Sequence, residues 1–268
     1  AIALLKALPI FADVDINSGA ITADKIEPLI TKKTKAISVV HIGGWPADMV
    51  AICKLAKKYN LFVIEDCSQA HGAFIKINGE FKSVGSFGDV STWSFCQDKI
   101  ISTGGEGGMI TTNSSKIWEY IWSLKDHGKS LSELQNQSKI NGFKWLHEHI
   151  GSNFRLTEMQ SAIGRIQLKK LSEWNKKRSQ NAKILIDALT DLESIRIPIP
   201  PDNIIHAWYK FYFYLHLKNL KIDWDRDRII SSINKLGYPA FHGGCSEIYL
   251  EKCFKKLGIT PSLRLANA

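Results

Sequence analysis

Two short segments hold residue types that can do chemistry together. In Val63-Ile64-Glu65-Asp66-Cys67-Ser68-Gln69-Ala70-His71-Gly72, two carboxylates stand where an apolar run ends. Ligands of open parallel sheets bind outside the carboxyl ends of the strands, so a carboxylate placed there reaches a ligand. In Ser94-Phe95-Cys96-Gln97-Asp98-Lys99-Ile100-Ile101-Ser102-Thr103-Gly104-Gly105-Glu106-Gly107-Gly108, a lysine follows another apolar run and precedes four glycines in five positions. Such glycines let the backbone pass close to something bulky and bound. Alone, an acidic residue after a strand is as often a helix cap or loop partner, and one lysine is by default a surface charge. Together they form the pair that pyridoxal phosphate needs: a lysine amine to hold its aldehyde as a Schiff base and a carboxylate to keep its ring nitrogen protonated. Ser94 offers a hydroxyl for the cofactor phosphate.

The elements that must place these groups alternate as in an α/β fold. Ala36 to His41 and Leu61 to Glu65 read as strands, and between them Met49, Ile52, Cys53 and Ala56 make an apolar stripe at i, i+3, i+4 and i+7. Strand, helix and strand with short connections predict parallel neighbours. Val90 to Phe95 and Met109 to Thr112 read as further strands, and Ser114 to His127 as a helix stopped by Gly128. Residues 129 to 152 are polar and predict a surface excursion. Thr157-Glu158 then opens a helix with Met159, Ala162, Ile163 and Ile166 on one stripe, and a second helical stretch runs through Trp174 to about Leu189. The proline-rich break at Ile195 to Pro201 places the domain boundary, giving a large domain over 1–194 and a smaller α+β domain over 195–268. Trp208 to Leu217 is β-prone and Trp224 to Leu236 helical.

Composition narrows the class. The chain has 268 residues, 44% of them hydrophobic and 23% charged, and no run of 18 apolar positions, so it reads as a globular protein rather than a disordered or membrane-spanning one. The net charge of +9 concentrates at Arg165, Lys169, Lys170, Lys176, Lys177, Arg178 and Lys183, which reads as a solvated helix face. The five cysteines show no CxxC pair and no framework spacing, as expected of reduced thiols in a cytoplasmic protein. The N-terminus lacks an initiator Met, a basic leader region and a cleavage site, and the C-terminus stops without a signature; both ends are expected to be cut from a longer protein.

The two segments, with His41-Ile42-Gly43-Gly44-Trp45-Pro46-Ala47-Asp48-Met49 before them and Gly151-Ser152-Asn153-Phe154-Arg155-Leu156-Thr157-Glu158-Met159-Gln160 after them, resemble in order and spacing the DegT/StrS family of sugar-nucleotide aminotransferases. The resemblance runs from about Pro9 to Trp208 and more loosely to Phe254. It implies an α/β fold of the aspartate aminotransferase type, fold type I: a large, mostly parallel sheet domain, a smaller C-terminal domain, and a homodimer with shared active sites. It further implies that Lys99 is the Schiff-base lysine, that Asp66 pairs with the pyridinium nitrogen, and that Gln69 lies near the phenolic oxygen. By the same resemblance Ser94 binds the phosphate, and Asn153 reaches the phosphate of the partner's cofactor. The implied reaction is transamination of a nucleotide-linked keto sugar with glutamate as donor, for surface polysaccharide or lipopolysaccharide biosynthesis. The family's Gly-Thr/Ser-Ala phosphate loop and ring-stacking aromatic are not found here. Phe241 to Tyr249 departs from the family's Pro-Leu-His loop near the sugar.

Arg155 and His242 are the candidates for substrate contact, with a structural salt bridge the equal alternative for Arg155. His41 and His71 read as satisfying buried backbone groups rather than binding metal, and His147 and His149 as solvent-facing. An NAD-dependent oxidoreductase would need G-x-G-x-x-G between its first strand and helix, whereas the glycines here follow a lysine and lead into a strand. A nucleic-acid-binding module would need a helix-turn-helix, zinc finger or RNP motif beside the basic cluster. The rival within the family is a dehydratase that carries histidine at the position of Lys99.

Overall fold

The computed structural model describes residues 1–135, 146–243, 247–261 and 264–267. After a short helix α1 (Ala23–Ile26), strand β1 (Ala36–Val40) buries Ile37 and Val39 on one face, as the alternation of its side chains requires. Helix α2 (Met49–Tyr59) starts at Asp48, whose carboxylate accepts the Ala51 N–H at 3.0 Å, and ends at Asn60 in the left-handed region (φ 53°). Its Met49, Ile52, Leu55 and Ala56 are buried. Each of the large ones is worth about 2 kcal/mol in surface removed from water. The chain returns as β2 (Phe62–Asp66), parallel to β1 with Val40 beside Asp66.

A hairpin follows, β3 (Phe74–Ile77) and β4 (Glu80–Ser83). Then β5 (Val90–Ser94) pairs parallel with β2, setting Asp66 opposite Thr92, and β6 (Gly108–Thr111) pairs antiparallel with β5. The sheet order β1-β2-β5-β6 is therefore mixed and mostly parallel, the α/β arrangement expected. Helices α3 (Ser115–Lys125) and α4 (Leu131–Gln135) come next. The expected surface excursion lies partly outside the described residues, at 136–145.

Helix α5 (Glu158–Leu189) is one 32-residue element rather than two stretches. Thr157 and Gln160 cap it reciprocally, and no proline interrupts it. Its leading stripe is not core: Met159 is 77% exposed and Ile166 54%. Strand β7 (Ile195–Arg196) pairs with β9 (Tyr214–Leu215), and β8 (Ile204–Ile205) joins the edge of β3. Of the aromatic stretch Trp208–Leu217 only Tyr214 and Leu215 are strand, and Tyr209 joins the core around β1, α2 and β2. Helices α6 (Arg226–Lys235) and α7 (Lys252–Lys256) follow.

Candidate active site

Asp66 and Ser94 end adjacent parallel strands. Asp66 is the last residue of β2 and Ser94 the last of β5, two residues beyond the Thr92 that faces Asp66. The backbone locks this edge: His41 N–H donates to the Asp66 carbonyl (3.2 Å) and Cys67 N–H to that of Thr92 (2.9 Å). One Asp66 oxygen accepts the Ser68 N–H at 3.0 Å, which turns the chain over the sheet edge and brings Gln69 up. The side-chain carbonyl of Gln69 accepts the Gly43 N–H at 2.7 Å, so the amide NH2 of Gln69 is the end left to donate to a ligand.

The turn at 41–45 joins the next segment. Gly43 and Gly44 accept the N–H groups of Lys210 (3.2 Å) and Ala207 (2.9 Å). Gly44 sits at φ 97°, and a Cβ there would meet the Gln69 carbonyl, the Ala207 methyl and the Trp208 nitrogen, each at 3.1 Å. Only glycine lets these three chains meet. The segment so held presents Tyr209, 8% exposed, whose hydroxyl accepts from Lys99 Nζ at 3.4 Å and donates to Asp98. A chain of contacts thus runs from Gln69 through Gly43 and the Tyr209–Lys210 segment to Lys99. The Lys99 side chain is 14% exposed.

Beneath this edge lies Glu65, fully buried. It accepts the N–H groups of Gly85 (2.7 Å), Phe87 (2.8 Å) and Gly88 (2.6 Å) and faces His41 Nε2 at 3.2 Å. Burial pushes this carboxyl up, but the His41, Gly88 and Gly85 hydrogen bonds outweigh it and hold the group below its ordinary value. His41 Nδ1 accepts the Ala47 N–H at 3.0 Å, so His41 does satisfy a buried backbone group. His41, Glu65 and Cys67 bring metal-type ligand atoms within 4.8 Å of one another. Both His41 nitrogens and both Glu65 oxygens are already engaged, which leaves no donor set for an ion.

His71 is 2% exposed; neither ring nitrogen has a partner within hydrogen-bonding geometry, although the Ser94 backbone is near enough to favour its charged form. Burial, and then the charge of Lys99, push its imidazole down to about 4, so it stays neutral against Trp93 and Phe95. Two of the glycines after Lys99 have a reason besides the one expected. Gly104 is left-handed (φ 82°), and at Gly107 a Cβ would meet the buried Thr103 hydroxyl at 2.2 Å. The loop folds on itself and is tied to α5 by Gln160 (to the Glu106 carbonyl, 2.7 Å) and Gln167 (from Ser102 N–H, 2.8 Å). Gly104 and Gly107 thus have an internal reason to be glycine, whereas a Cβ at Gly105 would meet nothing within 4 Å.

Of the expected site residues, Asp66, Gln69, Ser94 and Lys99 share the strand-end edge. Asn153 and Arg155 stand elsewhere, both exposed: Asn153 bridges to Asp126 through its backbone and accepts from Arg155 Nε at 3.0 Å, and Arg155 pairs with Asp126 at 3.6 Å. His242 is exposed and faces Asp227 at 3.8 Å. His147 and His149 are exposed as expected, although Nδ1 of His149 meets the Ser123 hydroxyl at 3.1 Å. Asp98, Tyr209 and Glu65 were not singled out as site residues from sequence. Only the adjacency of Asp98 to Lys99 and of Glu65 to Asp66 could have flagged two of them.

The geometry fits known proteins. A solved aminotransferase from Psychrobacter cryohalolentis superposes with a TM-score of 0.93 at 47% identity, covering 98% of this chain and 68% of that one. The UDP-N-acetyl-3-dehydro-alpha-D-glucosamine 3-aminotransferase of Acidithiobacillus ferrooxidans is 36% identical over 82% of this chain and 55% of its own length. The GDP-perosamine synthase of Escherichia coli O157:H7 is 36% identical over 78% of this chain and 53% of its own. The chain thus spans a little over half the length of these curated relatives. Residues 1–267 match the DegT/DnrJ/EryC1/StrS aminotransferase family, a family of pyridoxal phosphate enzymes with the type I fold, and the chain belongs to it.

Proposed function

We propose that the protein carrying this chain is a pyridoxal phosphate-dependent transaminase that converts a nucleotide-linked keto sugar to an amino sugar, with glutamate as donor, in surface polysaccharide biosynthesis. The observation that supports this is that Asp66 ends β2 with Gln69 bonded to the adjoining Gly43 turn, and that Lys99 bonds Tyr209 of the segment that same turn holds. These are the groups the cofactor requires: an amine for its aldehyde, an anion to accept from its ring nitrogen and an N–H for its phenolic oxygen. Bound there, the cofactor supplies a ring that takes up the electrons released when a carbon next to nitrogen loses its proton.

The chain's own groups do the rest. Asp66, held by Ser68 N–H, keeps a proton on the ring nitrogen. Gln69, its carbonyl fixed by Gly43, donates its amide N–H. Ser94 offers its hydroxyl to the phosphate. The Lys99 Nζ would hold the aldehyde and, when free, would carry a proton between the two reacting carbons. Lysine at this position favours transamination over the dehydratase alternative, which uses histidine there.

The active unit is a homodimer in which Asn153 completes the partner's site. Around Asn153 the chain leaves Ile150 (98% exposed), Phe154 (75%) and Met159 uncovered, an apolar face that a second copy would bury. Arg155 and His242 remain substrate-side candidates, and the division into domains at 194/195 is part of this proposal. Among the described residues no helix is long and apolar enough to cross a membrane, and we place the enzyme in the cytoplasm with its nucleotide-sugar substrates. The deciding experiment assays the full-length protein with glutamate and a panel of keto sugar nucleotides. Amino-sugar product and 2-oxoglutarate in equal amounts support the reading, and their absence across the panel refutes it.

A further inference from the structure

Asp98 and Tyr209, separated by 111 residues, are joined through their side chains: the Tyr209 hydroxyl donates to Asp98 Oδ2. Asp98 Oδ1 also accepts from the Cys96 thiol (2.7 Å) and lies 3.7 Å from Lys99 Nζ. Lys99 Nζ donates to the Tyr209 oxygen at 3.4 Å and lies 5.0 Å from the centre of the Tyr209 ring. The backbone on both sides of Tyr209 is held. Its neighbours Ala207 and Lys210 are bonded to the 43–44 turn, and the carbonyl of Trp208, left-handed at φ 50°, accepts from Arg178 at 3.1 Å.

The direction of these bonds matters. A phenol has one proton and two lone pairs, and here the proton is spent on Asp98. Towards Lys99 the oxygen can only accept. Once Nζ has given up its extra proton, an amine that donates one N–H keeps its lone pair free to attack a carbonyl, whereas a phenol proton turned onto the amine would occupy that pair. The bonds from Cys96 and Tyr209 hold the Asp98 carboxyl down to about 2, so the acceptor is ionised at every working pH. Burial, then Asp98, raises the Tyr209 hydroxyl above its ordinary value, so the phenol keeps its proton.

We propose that Asp98 and Tyr209 form a positioning pair that orients the Lys99 amine for reaction with a carbonyl, Asp98 by drawing off the phenol proton and Tyr209 by accepting from the amine. The inference rests on the reading of Lys99 as the lysine that binds the cofactor, and it assigns a role to two residues outside that reading. In the reaction concerned, Nζ forms a C=N bond to the aldehyde carbon and the aldehyde oxygen leaves as water.

The test uses the full-length protein stripped of cofactor, with Tyr209→Phe, Asp98→Asn and the double variant. Covalent capture of pyridoxal phosphate is followed by visible absorbance, and equilibrium binding of pyridoxamine phosphate, which cannot condense with lysine, by quenching of tryptophan fluorescence. Tyr209→Phe keeps the buried ring, and Asp98→Asn changes a half-exposed loop residue. Each should slow capture about tenfold or more, while pyridoxamine phosphate affinity stays within about twofold. The double variant should be no slower than the slower single one, because the pair acts as a unit. Capture in both single variants at the parent's rate overturns the inference. So does pyridoxamine phosphate affinity falling in step with capture, since the two residues would then only shape the pocket. A parent that captures no cofactor, or capture that survives Lys99→Ala, is a different result: it overturns the reading of Lys99, and this inference with it.

Discussion

Glu65 and Asp66 are consecutive on β2 yet do opposite things: Glu65 is fully buried beneath the sheet edge with its oxygens saturated by Gly85, Phe87, Gly88 and His41, while Asp66 emerges half-buried at the ligand side. Strand alternation sends neighbouring side chains to opposite faces. One carboxylate therefore builds the floor on which the other is presented.

Glu65→Gln tests that floor. The amide puts N–H groups where backbone N–H groups already point, and the substitution should cost about 2 kcal/mol or more, read from denaturant midpoints. Because the folded carboxyl sits below its ordinary 4.5, the ionised form stabilises the fold above that pH, and this contribution is lost as pH falls through the lower folded value. The variant should lack that acid-side slope; a parent and variant that lose stability in parallel below pH 4.5 would contradict the assignment.

Lys99→Ala in the full-length protein should abolish the visible absorption of covalently held cofactor. Borohydride reduction of the parent followed by peptide mapping should find the cofactor on Lys99, and a label on another lysine would refute the role.

Asp66→Asn should still bind pyridoxal phosphate but lose turnover by about 10² or more, since the ring proton is what lets electrons be absorbed. Near-normal turnover would show that Asp66 serves only its bond to Ser68.

Mixing inactive Lys99→Ala with inactive Asn153→Ala subunits should restore activity. A hybrid dimer carries both lesions in one site and leaves the other whole. With random pairing at equal amounts about half the dimers are hybrids, giving roughly a quarter of parental activity. Verified hybrids that stay inactive, or an active Asn153→Ala enzyme, would return Asn153 to a role in entering α5.

Much of this architecture is local and was legible. The stripe of α2, the β-branched runs of β1 and β2, and the capping of α5 by Thr157 are short-range patterns, and the strand-end positions of Asp66 and Ser94 follow from them. The β3–β4 hairpin also had its signal in Asn78-Gly79, both left-handed (φ 51° and 89°), the dipeptide that two-residue turns favour.

What tertiary structure alone decided is of another kind. That Met159 and Ile166 are exposed while Tyr209 is buried depends on which surfaces meet, not on residue period. That Gly107 lies against the Thr103 hydroxyl is revealed only by the loop's closure on itself. The contact of Lys99 with Tyr209 spans 110 residues, and no local propensity encodes such a pairing. The residue types of the site are set by chemistry and can be read in order along the chain. The direction in which the Lys99 amine points is set by packing, and exists only once the 41–45 turn, the 206–210 segment and the ends of β2 and β5 have come together.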